Sequence, residues 1–127
     1  MKLAYVDTSC LVAIAFAEPG APAMARRLGK FDRLFSSNLL EAELRSALAR
    51  EGVATETDEL LRWVSWVHPN RALTPEFDRI LPAGYLKGAD LWHLACALVL
   101  APDPRELAFL TLDKRQKEAA TRLGFAT

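Results

Sequence analysis

Two short apolar segments at opposite ends of the chain are each followed by an aspartate and then by a helix-forming segment. Leu3–Val6 precedes Asp7, and Leu107–Leu112 precedes Asp113. Near-continuous apolar strands of this kind are typical of a parallel sheet that is covered on both faces. Parallel strands of one sheet bring their carboxyl ends to the same edge, where ligands bind in open α/β sheets. We therefore expect the two aspartates to meet at one edge of such a sheet.

The rest of the chain alternates between strand-like and helix-like segments. Strands are predicted at Leu3–Val6, Arg33–Ser36, Trp66–His68 and Leu107–Leu112. Helices are predicted at Ser9–Ala17, Ala21–Leu28, Leu39–Arg50, Asp58–Trp63, Thr74 to about Gly84, Leu91–Leu100 and Lys114–Leu123. This alternation predicts an α/β fold, a three-layer α/β/α sandwich with a mostly parallel central sheet. Because no repeat or linker interrupts the pattern, we expect a single domain over residues 1–127.

Capping residues support these helix bounds. Amino-terminal caps are predicted at Asn38, Thr57 and Asp90, a left-handed carboxyl-terminal cap at Gly29, and a carboxyl-terminal cap at Gly124. The residues before Asp90, Lys87-Gly88-Ala89, are predicted to form a loop. Asp7 and Asp113 also precede helices, so capping is the alternative to a functional role for each of them.

Composition favours a globular protein without a strong overall attraction to polyanions. Hydrophobic residues make up 51% of the chain, and 16 basic residues balance 16 acidic ones. Binding to nucleic acid would therefore need local basic patches and a metal ion. Cys10 and Cys96 lie in apolar runs and are expected to be reduced and buried, which suits a cytoplasmic protein. Since Asp7, Thr8 and Ser9 interrupt the first apolar run, we do not expect a signal peptide. Since no apolar segment reaches the roughly 18 residues that span a bilayer, we do not expect a membrane span.

Two further acids are candidates for the same edge of the sheet. Asp90 has apolar neighbours, and His93 shares its helical face, either as a metal ligand or, as we expect, as a core or supporting histidine. Glu41 and Glu43 flank the apolar stripe of the third predicted helix, and spacing alone does not choose between them. Glu41 has Arg45 at i+4 as an ion-pair partner, whereas Glu43 has no such partner. Glu43 is therefore predicted to be the freer carboxylate.

Carboxylates gathered at one edge would repel each other unless a cation neutralised them. Mg²⁺ prefers oxygen ligands, and Mn²⁺ also suits an all-oxygen site. The sequence has no Cys/His cluster that would indicate zinc. Metal ions held by acids suit the hydrolysis of phosphodiesters, in which one ion activates a water molecule and another stabilises the leaving oxygen.

Four segments resemble the acidic motifs of PIN-domain ribonucleases and occur in the order of that family. They are Tyr5-Val6-Asp7-Thr8-Ser9, Leu40-Glu41-Ala42-Glu43-Leu44, Ala89-Asp90-Leu91-Trp92-His93-Leu94-Ala95 and Leu110-Thr111-Leu112-Asp113-Lys114-Arg115. Each motif alone is weak, whereas four in order across nearly the whole chain are specific. The chain most resembles the VapC-type toxins of type II toxin–antitoxin systems. Trp92 is a departure, because it is bulkier than the residue expected before His93.

The resemblance implies a Mg²⁺-dependent endoribonuclease, with Mn²⁺ as an alternative ion. Asp7 and Asp90 would be the principal metal ligands, and Glu43 and Asp113 would complete the site directly or through water. The polar groups that would support these ligands are Thr8, Ser9 and Thr111. The motif also assigns the family's glutamate to Glu43 rather than Glu41.

The same resemblance implies an RNA substrate, a homodimer and an antitoxin whose tail covers the acidic groove. Apolar candidates for protein contacts are Trp63, Trp66 and Phe16, for which core packing is the commoner fate. Basic candidates for phosphate contacts are Arg26, Arg27, Lys30, Lys114, Arg115 and Lys117, which equally suit solvated helix faces.

Other functional classes have less support. A haloacid-dehalogenase-like phosphatase needs a second aspartate two residues after Asp7, where this chain has Ser9. A dinucleotide-binding domain needs G-x-G-x-x-G after its first strand, and no such motif follows Val6. The non-enzymatic alternative is a PIN-like module that binds nucleic acid with a partner protein without significant cleavage. The presence of all four acids argues against that module.

Overall fold

The computed structural model describes residues 1–53 and 57–127, which contain four strands and seven α-helices. The strands are β1 (Leu3–Val6), β2 (Arg33–Ser37), β3 (Val64–Val67) and β4 (Ala108–Leu110). The helices are α1 (Thr8–Ala15), α2 (Ala21–Leu28), α3 (Asn38–Arg50), α4 (Thr57–Leu61), α5 (Thr74–Ile80), α6 (Gly88–Leu100) and α7 (Lys114–Leu123). Short 3₁₀ turns occupy Leu81–Ala83 and Pro104–Glu106.

The four strands form one sheet in the order β3-β2-β1-β4. All three pairings are parallel, so the sheet of the described residues is entirely rather than mostly parallel. β1 and β4, from opposite ends of the sequence, are neighbours in register Ala4 to Ala108. The predicted meeting of the first and last strands is confirmed, and it brings both strand-end aspartates to the same edge.

Helices cover both faces of the sheet, which confirms the three-layer α/β/α architecture. Alternate residues of β1 point in opposite directions. Ala4 and Val6 belong to a core with apolar residues of α1, α2, α3 and α4, whereas Tyr5 belongs to a second core with residues of α5, α6 and α7. The Tyr5 ring stacks on Phe109 of β4, with ring centroids 5.4 Å apart. Burial on both faces explains why these strands read as continuous apolar runs.

The two cysteines lie in these cores. Cys10 and Cys96 are both free and buried, as predicted. Burial raises the pKa of each thiol to about 12. Each therefore behaves as a small apolar side chain, since the thiolate is the reactive form.

Strand and helix bounds differ modestly from the predictions. β4 comprises only Ala108–Leu110, because its ladder extends only where β1 offers partners, at Ala4–Val6. β3 begins at Val64 rather than Trp66 and ends before His68. α1 is shorter than predicted and ends at Ala15.

Several predicted caps are wrong. Ser37, not Asn38, caps α3, because the Ser37 backbone is extended and its hydroxyl accepts a hydrogen bond from Leu39 N–H. Thr57 is the first helical residue of α4 rather than its cap. Gly29 has a right-handed φ of −65° and not the predicted left-handed one, whereas Gly124 has φ +108° and confirms its prediction.

The start of α6 changes the setting of Asp90. Lys87 is extended and accepts a hydrogen bond from Leu91 N–H, so the helix already begins at Gly88. The predicted loop at residues 87–89 is therefore wrong, and Asp90 is a first-turn residue of α6 instead of its cap. A carboxylate in this turn is favoured by the helix dipole.

Candidate active site

Asp7 lies at the centre of the carboxyl edge and is nearly buried, with 4% of its surface exposed. Its Oδ2 accepts hydrogen bonds from the backbone N–H of Ser9 at 3.2 Å and from the Ser9 hydroxyl at 2.6 Å. Its Oδ1 lies 4.0 Å from His93 Nε2. Asp7 thus caps α1 with Oδ2, as the alternative interpretation expected, while Oδ1 lies nearest His93.

Asp113 caps α7 in the same way, but in a different environment. Its Oδ1 accepts a hydrogen bond from Gln116 N–H at 2.8 Å, and its side chain is exposed. Its own N–H donates to Thr111 Oγ1 at 3.0 Å. Two aspartates that look equivalent in the sequence therefore differ in their access to water.

Thr111 and Gln116 connect the last strand to the acids. The Thr111 hydroxyl lies 2.6 Å from Gln116 Oε1 and 3.2 Å from Asp7 Oδ2. Its single proton serves one acceptor at a time, and the shorter distance favours Gln116. Gln116 Nε2–H donates to the backbone oxygen of Asp90. Gln116 is fully buried, and its hydrogen bond to Asp90 connects α7 with α6.

Glu43 comes from α3 and has two hydrogen-bond donors. Its Oε1 accepts from the Thr8 hydroxyl and lies 2.8 Å from both Thr8 Oγ1 and His93 Nε2. The expectation that Glu43 is the freer carboxylate is therefore wrong, since its partners come from α1 and α6 rather than from its own helix. The predicted ion pair between Glu41 and Arg45 is present at 2.8 Å.

His93 is buried, with 1% of its surface exposed, and uses both ring nitrogens. Nε2 faces Glu43, and Nδ1 lies 2.7 Å from the Tyr5 hydroxyl. Because no ring nitrogen is left free, this arrangement matches a supporting histidine and not the metal-ligand alternative. Trp92 beside it is half-buried and lies against Phe77 of α5, with ring centroids 6.5 Å apart.

The acids of the edge differ in their electrostatic surroundings. Burial raises the pKa of Asp90, and the charges of Asp7 and Asp113 raise it further against the opposing effects of His93 and Lys87. Burial also acts to raise the pKa of Glu43, but hydrogen bonds from His93 and Thr8 outweigh it, so the pKa is lowered. The Asp90 carboxylate is thus compensated only in part, and its pKa remains raised.

The donor set fits a hard divalent cation by its chemistry. The functional atoms at this edge are carboxylate oxygens, and mutual repulsion among Asp7, Asp90 and Asp113 is what a bound cation relieves. Across residues 1–53 and 57–127, no three His, Cys, Asp or Glu side chains stand close enough to form a ready-made metal cluster. Ligation through these acids would thus require side-chain adjustment or intervening water.

The six basic candidates divide between opposite edges of the sheet. Lys114, Arg115 and Lys117 are exposed in the first turn of α7, next to Asp113. In contrast, Arg26, Arg27 and Lys30 surround a cleft with Lys2, which precedes β1. Because Asp7 follows β1, this second group lies at the edge away from the acids.

The apolar candidates also separate. Trp63 is 72% exposed and borders an apolar groove of about 440 Å³ between α1, α2, α4 and the sheet. Trp66 and Phe16 are half-buried and pack against the core on that face. Trp63 is therefore the candidate that remains available for an outside contact.

Sequence reasoning did not identify Gln116 or the hydroxyl of Tyr5 as parts of the site. Gln116 had a detectable signal, because an aspartate followed three residues later by glutamine matches a capping box. Tyr5 had none, since its partner His93 is 88 residues away in the sequence.

None of the helices in the described part of the chain is long and apolar enough to cross a membrane. The PIN domain family model matches residues 4–122, a span that includes all four candidate acids. No curated protein shows significant similarity to the chain.

Proposed function

The chain belongs to the PIN domain family, whose members are generally metal-dependent nucleases, and from this premise we propose that it is a Mg²⁺-dependent endoribonuclease. The observation that carries the proposal is the group of carboxylates at the carboxyl edge of the sheet. Asp7 and Asp113 lie close enough to Asp90 to raise its pKa. Carboxylates in this arrangement attract a divalent cation, and the cation in turn attracts a phosphate.

We assign Asp7 and Asp90 as the principal metal ligands, with Glu43 and Asp113 completing the site directly or through water. A bound divalent ion supplies a more acidic water and neutralises charge on the phosphate. The side chains that hold the carboxylates in place are Ser9 for Asp7, and Thr8 for Glu43, while Thr111 links Asp113 N–H to Gln116. Mn²⁺ is expected to replace Mg²⁺, because it accepts the same oxygen ligands.

The RNA phosphates are proposed to contact the start of α7. Lys114, Arg115 and Lys117 are exposed there beside Asp113, and the net charge of the chain is zero, so attraction must be local. Cleavage should consequently weaken as salt is raised. The cluster of Arg26, Arg27 and Lys30 lies at the opposite edge and has no part in the cleavage contact.

The decisive experiment compares RNA cleavage by the wild type and by Asp7→Asn with Mg²⁺ or Mn²⁺. The substitution keeps an oxygen that can accept from Ser9 but removes the charge that holds the ion. Loss of several kcal/mol of metal stabilisation corresponds to a fall of about a thousandfold or more in the cleavage rate. Glu41→Gln is the matched control, because Glu41 is a solvent-side acid on α3. Equal cleavage by Asp7→Asn and the wild type would contradict the proposal.

We further propose that the enzyme acts as the toxin of a type II toxin–antitoxin pair, as a homodimer inhibited by an antitoxin. This rests on the resemblance of its motifs to VapC-type toxins, and exposed Trp63 offers apolar surface for a protein contact. Expression alone should arrest growth, whereas expression of Asp90→Ala should not. If both proteins are tolerated equally, the toxin role is wrong. Binding of RNA without cleavage by the wild type would instead favour the non-enzymatic binding module.

A further inference from the structure

A buried chain of hydrogen bonds joins the three elements that meet behind the acids. It runs from Tyr5 on β1 to His93 on α6 and then to Glu43 on α3. The Tyr5 hydroxyl is 2.7 Å from His93 Nδ1, and His93 Nε2 is 2.8 Å from Glu43 Oε1. Tyr5 is fully buried and His93 nearly so, while Glu43 reaches the surface of the site. This hydrogen-bond network therefore leads from the core to the edge where the acids meet.

The partners at each end determine where the protons lie. The Glu43 carboxylate only accepts hydrogen bonds, so the neighbouring Nε2 of His93 carries a proton. The Tyr5 oxygen accepts a hydrogen bond from Ser37 N–H at 3.0 Å and lies 2.7 Å from Nδ1, so its own proton can be donated to Nδ1 when that nitrogen is unprotonated. Burial raises the pKa of Tyr5 well above its ordinary value of 10.0, which keeps this proton on the hydroxyl. A proton on Nε2, with Nδ1 accepting from the Tyr5 hydroxyl, satisfies every polar group of this hydrogen-bond network.

The hydrogen-bond network also reaches the start of α3, the helix that carries Glu43. Ser37 caps α3 with its hydroxyl, and its N–H donates to Tyr5. The start of α3 and the Glu43 side chain, about one and a half turns later, are thus both connected to Tyr5. No buried side-chain polar atom within the described residues lacks a hydrogen-bond partner, so the network is satisfied. Satisfied buried networks hold their members in one geometry.

We propose that His93 is a positioning residue that uses its Nε2–H to hold the Glu43 carboxylate at the acidic site, with the Tyr5 hydroxyl holding the imidazole ring through Nδ1. The inference deepens the proposed function and rests on it for the effect on cleavage. The position of the proton itself is a property of the protein without metal or RNA. It is therefore testable even if the chain cleaves nothing.

The first experiment locates the proton by ¹⁵N NMR of the metal-free protein. The chain has two histidines, and His68 is exposed, so His68→Gln leaves His93 as the single imidazole. Long-range nitrogen–proton correlations are expected to show a protonated Nε2 and an unprotonated Nδ1. In Tyr5→Phe, the Nδ1 resonance should move because its donor is lost, while Nε2 stays protonated. A proton on Nδ1 in the folded protein, or no response to Tyr5→Phe, would overturn the proposal.

The second experiment separates positioning from packing by comparing His93→Gln with His93→Leu. An amide at this position can still donate to Glu43, whereas leucine fills space without donating. We expect His93→Leu to lower kcat by about 10- to 100-fold, as for other residues that orient metal ligands, with KM unchanged. His93→Gln should recover a large part of that loss, and His68→Leu should cleave like the wild type.

The outcomes distinguish this inference from the proposed function. Absence of cleavage by the wild type under all metal conditions would contradict the nuclease, while the NMR result would still decide the proton position. Wild-type kcat in His93→Leu, or equal losses in His93→Leu and His93→Gln with both folded by circular dichroism, would overturn the positioning role. Recovery by glutamine together with a protonated Nε2 would support it.

Discussion

Glu43 and Asp90 both belong to the acidic edge, but their surroundings shift their pKa values in opposite directions. Glu43 accepts hydrogen bonds from His93 and Thr8, which lower its pKa despite its burial. Asp90 is also partly buried, but its pKa is raised by that burial and by the charges of Asp7 and Asp113. The protein outweighs the effect of burial at Glu43, whereas at Asp90 the opposing effects of His93 and Lys87 do not offset burial and repulsion, which a bound cation would relieve.

The difference in pKa supports different proposed roles for the two carboxylates. A compensated carboxylate has a fixed position and little need of a cation, so Glu43 suits a supporting or water-mediated contact. An incompletely compensated one lies where an ion gains most, so Asp90 suits direct ligation together with Asp7. Repulsion retained at a functional site is a cost to stability that function requires. The following substitutions test whether Glu43 and Asp90 differ in this way.

The largest effect is expected for Asp90→Asn, measured as the rate of RNA cleavage. Loss of this proposed metal ligand should lower the rate by about a thousandfold, because several kcal/mol of metal stabilisation would disappear. Chemical denaturation should show that the free energy of unfolding is unchanged or higher, since repulsion with Asp7 is removed. Normal cleavage by this variant would contradict metal binding by Asp90. A clear loss of stability would contradict the repulsion inferred at Asp90.

A smaller effect of the opposite sign is expected for the stability of Glu43→Ala. Truncation leaves the Nε2–H of buried His93 without its acceptor, which costs about 1–2 kcal/mol of unfolding free energy. Glu43→Gln should lose less, because its amide oxygen still accepts. Urea denaturation at neutral pH checks both variants. If Glu43→Ala is as stable as the wild type, the Glu43–His93 contact contributes nothing and the comparison fails.

The pH dependence of stability should also separate the two acids, by under about 1 kcal/mol each because both are partly exposed. The pKa of Glu43 is lowered from its ordinary value of 4.5, so its stabilising contribution is present above that value and lost as pH falls through the folded-state pKa. The pKa of Asp90 is raised from 3.8, so its cost is present above the raised value and relieved as pH falls through it.

Both differences are measured by unfolding the single variants and the wild type at neutral pH and near pH 3. At neutral pH, Glu43→Gln should be less stable than the wild type and Asp90→Asn more stable. Near pH 3 both differences should shrink. If both variants change the free energy of unfolding in the same direction at neutral pH, the two carboxylates do not differ in their effect on stability.

The smallest effect is expected for Glu41→Ala, the control for Glu43 on the same helix. Glu41 pairs with Arg45 at 2.8 Å, but both side chains are exposed to solvent. Such i,i+4 pairs contribute about 0.3–0.5 kcal/mol, and salt screens them. Denaturation in low and high salt measures this contribution. A loss as large as that of Glu43→Ala would mean that position on α3, rather than the contact with His93, determines the cost.

Much of the fold was predictable because it depends on local patterns. Apolar runs followed by helices indicated buried parallel strands, and the structure confirms a sheet with β1 beside β4. Helix starts were less predictable, as at Asn38 and Asp90, because several neighbouring residues can cap and the backbone conformation chooses among them. The end of β4 depended on its partner strand, which lies about a hundred positions away in the sequence.

The candidate site shows the same division. By itself, the sequence determined which acids follow strands, and the geometry of parallel sheets then required Asp7 and Asp113 to share an edge. It also favoured Glu43 over Glu41, correctly placing the ion pair of Glu41 with Arg45 but missing the partners of Glu43 on other elements. Only the tertiary structure decided that Glu43 meets His93, fifty residues away, while Asp90 meets other acids. Spacing along one helix reports neighbours on that helix, whereas charge compensation depends on side chains that other elements bring within hydrogen-bonding distance.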